Sequence, residues 1–122
     1  MATDIQIKVE LDIVYVEYRG EAQTHLTTEA LRKAARIALE KQSTKLLMDV
    51  RQAVARGYHV SAIERTEQLP SLGIDQSFRI AFLGRKGDPM LQYIENVAVN
   101  RGFHLKAFND EAEAVAWLRS AL

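Results

Sequence analysis

The residues best placed to do chemistry are an acid and a base, Asp49 and Arg51, that end the run Thr44-Lys45-Leu46-Leu47-Met48-Asp49-Val50-Arg51. Consecutive apolar positions at Leu46, Leu47 and Met48 mark a strand buried on both faces. In open α/β sheets, the carboxyl edge of such strands is where ligands and partners meet the protein. A carboxylate there could accept a phosphoryl group, but that reaction needs a metal-binding acidic pair at another strand end, with a hydroxyl and a lysine nearby. The later apolar run ends Phe82-Leu83-Gly84 without Ser or Thr, and no acidic pair ends an earlier parallel strand. Two uses of Asp49 remain. It could serve an enzyme together with Arg51, Tyr58 or His59, provided those side chains converge. Alternatively it accepts backbone N–H groups of the loop beyond it, or pairs with Arg51, as strand-end aspartates commonly do. The structural use is the preferred reading.

Other polar residues offer less. His25, His59 and His104 lie far apart, and none has a second histidine or a cysteine three or four residues on, so no metal site is expected. Gly84-Arg85-Lys86-Gly87-Asp88 sets two cations before a helix start, where free N–H groups could hold an anion. It lacks a phosphate-loop pattern, and Asp88 as N-cap occupies the donors, so a solvated turn is the better reading. No Gly-x-Ser-x-Gly motif is present. Tyr58, His59, Ile63, Leu69, Leu72 and Ile74 place apolar and aromatic side chains in a segment broken by Pro70 and Gly73. That segment could cover a lipid-like pocket or form a partner surface, against the plainer expectation that it packs as a short core helix.

The elements that would position these residues follow from periodicity. Ile5, Ile7, Val9 and Leu11 alternate with polar residues, and the phase then slips to Val14, Val16 and Tyr18. A slip of one residue needs a bend, placed at Leu11-Asp12-Ile13, with Gly20 ending the second strand. Thr27 is the expected N-cap of a first helix whose apolar stripe is Leu31, Ala34, Ala35, Ala38 and Leu39. After the central strand, Gln52 to Tyr58 reads as a loop. Ser61 with Glu64 has capping-box spacing for a helix over 62–69. A strand over 78–83 follows, and then a helix started by Asp88-Pro89 and stopped by Gly102. An edge strand through Phe103, Leu105 and Ala107 comes next. The last helix, capped by Asn109, buries Ala114, Val115, Leu118 and Leu122 beside Trp117. The order is ββαβαβαβα, which implies a mainly parallel sheet after an opening hairpin.

Composition narrows the function classes. A chain of 122 residues with 48% apolar content is one domain's worth and can bury a core. Sixteen basic residues against sixteen acidic ones give a formal net charge of zero, so the cation excess of nucleic-acid binders is missing. Zero net charge also does little to keep copies apart, which favours a homodimer. The absence of cysteine excludes disulfides, iron–sulfur clusters and thiolate zinc sites. With neither a signal-peptide pattern at the start nor an apolar run near ~18–20 residues, a soluble cytoplasmic protein without stable membrane insertion is expected.

The hairpin ending Val16-Glu17-Tyr18-Arg19-Gly20, the run Leu46 to Arg51, the stretch Phe108-Asn109-Asp110-Glu111 and the ending Arg101-Gly102 through Val115-Ala116-Trp117-Leu118 resemble the SpoIIAA-like family of small bacterial proteins. That family is related in fold to anti-sigma-factor antagonist (STAS) domains and distantly to CRAL-TRIO lipid-transfer domains. The resemblance covers nearly the whole chain, and its motifs speak for fold more than for function. It implies an α/β fold over 1–122: a SpoIIAA-like β-α superhelix with a five-stranded mixed sheet, its first strand antiparallel, and four helices. True antagonists carry a phosphorylatable serine after the Asp-bearing strand, in an Asp-Ser-Ser-Gly-like context. Here Gln52-Ala53-Val54-Ala55-Arg56-Gly57 stands in that place, and the nearest helix-start hydroxyl, Ser61, is explained by capping. No phosphorylation site and no cofactor are expected. The expectation is a non-enzymatic protein-binding or regulatory module, with a carrier of a small apolar or lipid-like ligand as the alternative. Its surface is placed at Asp49, Arg51, Tyr58, His59, Ile63, Leu69 and Leu72.

Overall fold

The alternating residues at the amino end form a hairpin: β1 (Asp4–Glu10) pairs antiparallel with β2 (Ile13–Glu21), from Asp4 opposite Arg19 to Glu10 opposite Ile13. The structure is a computed structural model, and it describes residues 4–21, 24–54 and 66–120. Only Leu11 and Asp12 make the turn, so Ile13, expected in the bend, is instead the first residue of β2 and fully buried. Both turn residues take positive φ, 53° and 63°. A two-residue hairpin requires this to match the right-handed twist of its strands. The turn is tied to the amino edge of the sheet by Ser43 Oγ, which donates to the Asp12 carbonyl at 2.6 Å.

β3 (Lys45–Val54), β4 (Arg79–Leu83) and β5 (His104–Phe108) follow in parallel, giving a five-stranded mixed sheet in the order β1-β2-β3-β4-β5. Alternate side chains divide the core between the two faces. On one face Val14, Val16, Leu46 and Ile80 pack beneath α1 (Thr24–Glu40), the 3-10 turn Leu69–Leu72 and α2 (Met90–Asn100). On the other, Ile13, Tyr15, Leu47, Ala81 and Leu83 pack beneath α3 (Glu111–Arg119) through Ala114 and Leu118. Leu46 and Leu47 are 1% and 0% exposed, which bears out a central strand apolar on both sides. Fully burying each such side chain stabilises by about 1.5–3 kcal/mol.

Several local expectations are corrected. α1 begins at Thr24, before Thr27, which is buried inside the helix; the earlier start lets Leu26 face β1. Leu39 is 80% exposed, because the carboxyl end of α1 reaches the amino edge of the sheet and borders an open groove there. Asp110, not Asn109, caps α3: its Oδ1 accepts the Ala112 N–H at 2.9 Å, while Asn109 makes the corner after β5. Gly20, with φ 79°, lies within β2, which runs on to Glu21. Asp88 accepts the Met90 N–H at 3.0 Å, the bond expected of it, but Pro89 rather than Asp88 stands at the N-cap and the helix begins at Met90. Of the helix expected over 62–69, residues 62–65 lie outside the described residues. Residues 66–68 are helical, and Gly73 ends the 3-10 turn that follows at φ 98°.

Candidate functional site

β3 does not leave the sheet at Asp49. Gln52, Ala53 and Val54, expected in a loop, continue the strand beside Arg19, Gly20 and Glu21 of β2. Pairing with β4, by contrast, stops where Asp49 faces Leu83. The last five residues of β3 therefore stand above the end of β4, with a ladder partner on one side only. Between Glu17–Asp49 and Arg19–Gln52 the register shifts, so Val50 and Arg51 oppose the single residue Tyr18. Such a bulge disrupts the ladder and turns the following side chain.

Asp49 closes this bulge. Its Oδ1 accepts the Arg51 backbone N–H at 3.1 Å and the Arg51 Nε–H at 3.0 Å, and its Oδ2 accepts from Nη2 at 2.8 Å. The fork is bidentate and charge-assisted, the strong geometry for an arginine–carboxylate pair. The Asp49 side chain is 8% exposed and that of Arg51 36%. Nη2 also donates to Glu111 Oε1 at 3.0 Å, which links the bulge to the first turn of α3. Hydrogen bonding to Asp49 raises the Arg51 pKa above its ordinary value despite partial burial, so the guanidinium stays charged. Beneath the network Tyr15 is held protonated above its usual range, first by burial and then by the nearby Glu111 and Glu10, while Lys8, 5.0 Å from the ring centre, opposes the shift.

A second cation acts on the same strand. Arg85 Nη2 donates to the Ala53 carbonyl at 2.6 Å, supplying the bond that β4 is too short to give. The loop Gly84–Gly87, expected as a solvated turn, thus holds the β3 extension through Arg85 while Lys86 stays exposed. Sequence reasoning gave Glu111 no role and read Arg85 only as part of a solvated turn that could hold an anion. The signal for Glu111 was its place in the first helical turn after the Asp110 cap, at the carboxyl edge of the sheet.

Among the candidate residues, the structure brings Asp49 and Arg51 together and closes them on each other. Leu69 and Leu72 lie on the opposite face, buried at 6% and 7% against the core under α1. Tyr58, His59 and Ile63 lie outside the described residues, as do Ser61 and the side chain of His25. His104 is exposed on β5. No cluster of three or more metal-ligating side chains occurs among the described residues, and no described helix is long and apolar enough to cross a membrane. Chemically, the arrangement can lock a strand and present its rim. Asp49 has most of its acceptor capacity occupied by Arg51.

No protein-family model matches the chain, and no curated protein matches it in sequence. Solved structures do. An anti-sigma factor antagonist from Mycobacterium paratuberculosis superposes with a TM-score of 0.62 at 13% identity, covering 98% of this chain and 96% of its own. An uncharacterised protein with a SpoIIAA-like fold from Shewanella loihica gives 0.61 at 17% identity, with 95% and 93% covered. The anti-sigma factor antagonist SpoIIAA in its unphosphorylated form gives 0.60 at 15% identity, with 98% and 99% covered. The chain has the SpoIIAA-like α/β fold of anti-sigma factor antagonists. At these identities the likeness is one of fold.

Proposed function

We propose that this chain is a non-enzymatic, protein-binding regulatory module of the SpoIIAA-like kind that works without a phosphoserine switch. Its docking surface is the rim formed by the β3 extension and the loop after β4. The carrying observation is that Arg51, Glu111 and Arg85 hold five residues of β3 above the end of β4. The charges at this edge are spent on presenting backbone and exposed side chains such as Gln52 and Lys86. The likeness to anti-sigma factor antagonists supports a regulatory role and a protein partner.

The test is quantitative capture from a bacterial lysate with mass-spectrometric readout, comparing the wild type with Gln52→Glu/Lys86→Glu at the rim and Leu39→Glu at the opposite edge. A partner retained by the wild type and the Leu39 variant, and lost by the rim variant, is expected. A partner that ignores the rim variant, or no partner at all, refutes the proposal.

A second reading, a carrier for an apolar or lipid-like ligand, is favoured by a different place. An open groove of about 560 Å³ runs along the amino edge, bordered by Leu39, Leu72 and Phe78 with Arg32 and Arg36. Asp75 lines it as well, so the apolar residues rather than a net charge suit it to an amphiphile. Native mass spectrometry of the purified chain would show co-purified mass, and a bare protein mass under gentle conditions dismisses the carrier.

A further inference from the structure

The two edges of the sheet are treated differently. At β5, the Ala107 N–H that would face an incoming strand is accepted by Glu95 Oε1 of α2 at 2.8 Å. That edge is blocked by the chain itself, a common guard against unwanted pairing. Among the described residues, no side chain guards β1 in this way. It runs seven residues without proline or a register shift. Because its turn has two residues, Glu10 and Ile13 form a hydrogen-bonded pair, and the alternation continues to Asp4 and Arg19. The backbone groups of Ile5, Ile7 and Val9 therefore point away from β2, toward the open edge.

We infer that the β1 edge is a self-docking surface, on which a second copy of this chain adds its own β1 antiparallel to form a continuous ten-stranded sheet across a two-fold axis. Charge selects both the occupant and the register. A pairing centred on Ile7 would set Asp4 against Glu10, and one centred on Lys8 would set lysine against lysine. Centred on Gln6, Asp4 of each copy faces Lys8 of the other, with Ile5 opposite Ile7. Opposite charges directly across a strand pair attract and like charges repel, so this register is self-complementary twice over.

The layer above agrees. An open groove of about 630 Å³ between β1 and α1 is lined by Ile5, Ile7, Leu26 and Ile37, with Glu29 and Lys33 exposed one turn apart. Under the same two-fold, the α1 helices run antiparallel side by side, and Glu29 of one copy meets Lys33 of the other. The half-buried isoleucines and Val9, 40% exposed, then lose their water. This surface lies away from the rim around Asp49, so the inference does not depend on the proposed protein partner.

Sedimentation equilibrium of the whole chain tests it, with circular dichroism confirming that each variant is folded. The wild type should dimerise below about 100 µM. Lys8→Asp, at a side chain 59% exposed, places like charges twice across the axis and should raise the dissociation constant about tenfold or more. The double swap Asp4→Lys/Lys8→Asp should restore it to within about threefold. A wild-type chain that is monomeric at this concentration overturns the inference. So does a dimer indifferent to Lys8→Asp, or one that the swap fails to rescue.

Discussion

Replacing Arg51 by alanine is the sharpest test of whether Asp49 is a structural residue. The substitution removes a bidentate fork to a side chain only 8% exposed and a bond to Glu111, and leaves Asp49 with the backbone N–H of residue 51 alone. Breaking a fully buried ion pair costs about 3–5 kcal/mol. Here Arg51 is itself 36% exposed, so its loss admits water to the carboxylate, and the cost falls to about 1.5–3 kcal/mol. With an unfolding entropy of about 2.1 cal/mol/K per residue over 122 residues, this corresponds to a drop of about 6–12 °C in Tm. Glu111→Gln, at an acceptor 53% exposed, should cost about 0.5 kcal/mol or less. Calorimetry of both variants, closed into a cycle with Asp49→Ala, should give a coupling between Asp49 and Arg51 of at least about 1 kcal/mol. If Arg51→Ala costs no more than Glu111→Gln, the pair does not hold the bulge. The carboxylate would then be free for chemistry, and the structural account of Asp49 would fall.

Three further outcomes follow from local geometry. Leu11, 56% exposed with φ at 53°, has a conformation that suits asparagine better; Leu11→Asn should stabilise by about 1 kcal/mol, and an unchanged or lower Tm would refute a strained turn. Gly73, with φ 98° and the Ala35 Cβ 3.2 Å from where a Cβ would sit, should cost about 1–3 kcal/mol when changed to alanine. A shift of less than about 0.5 kcal/mol by urea titration would contradict this. Tyr15 has its pKa raised in the folded state, first by burial. The unfolded chain thus ionises first as pH rises, so this contribution is full below about 10, the unfolded value, and is lost as pH climbs through the folded pKa. Tyr15→Phe should flatten the loss of stability above that pH, and an identical alkaline slope in both proteins would disprove it.

Much of the fold was legible because its signals are local. The alternation of Ile5, Ile7 and Val9, the double-sided run at Leu46 and Leu47, and the Asp88-Pro89 start each specify an element through their own spacing. The order of those elements then constrains a mainly parallel sheet. Ends were harder. Thr27 and Asn109 are good caps by residue type, but α1 starts earlier, at Thr24, and Asp110 takes the cap of α3. The exposure of Leu39 depends on where the sheet stops beneath α1, which no helical stripe records.

Sequence by itself determined that an acid and a base two apart would end the apolar core of the central strand, in a chain without cysteine or net charge. It also determined which side chains of β2 and β3 share a face, since strand parity is set residue by residue. Pairing of Asp49 with Arg51 was already the preferred reading of the sequence, and tertiary structure decided how fully Asp49 is closed off. A bulge at Val50 and Arg51, the early end of β4 and the arrival of Glu111 from sixty residues away together turn a candidate catalyst into the clasp of a protruding strand. It likewise put Leu69 and Leu72 across the sheet from Asp49, and it guarded β5 while leaving β1 open among the described residues. Pairing partners and the cover of each face are set by contacts between distant segments, and spacing along the chain carries no record of them.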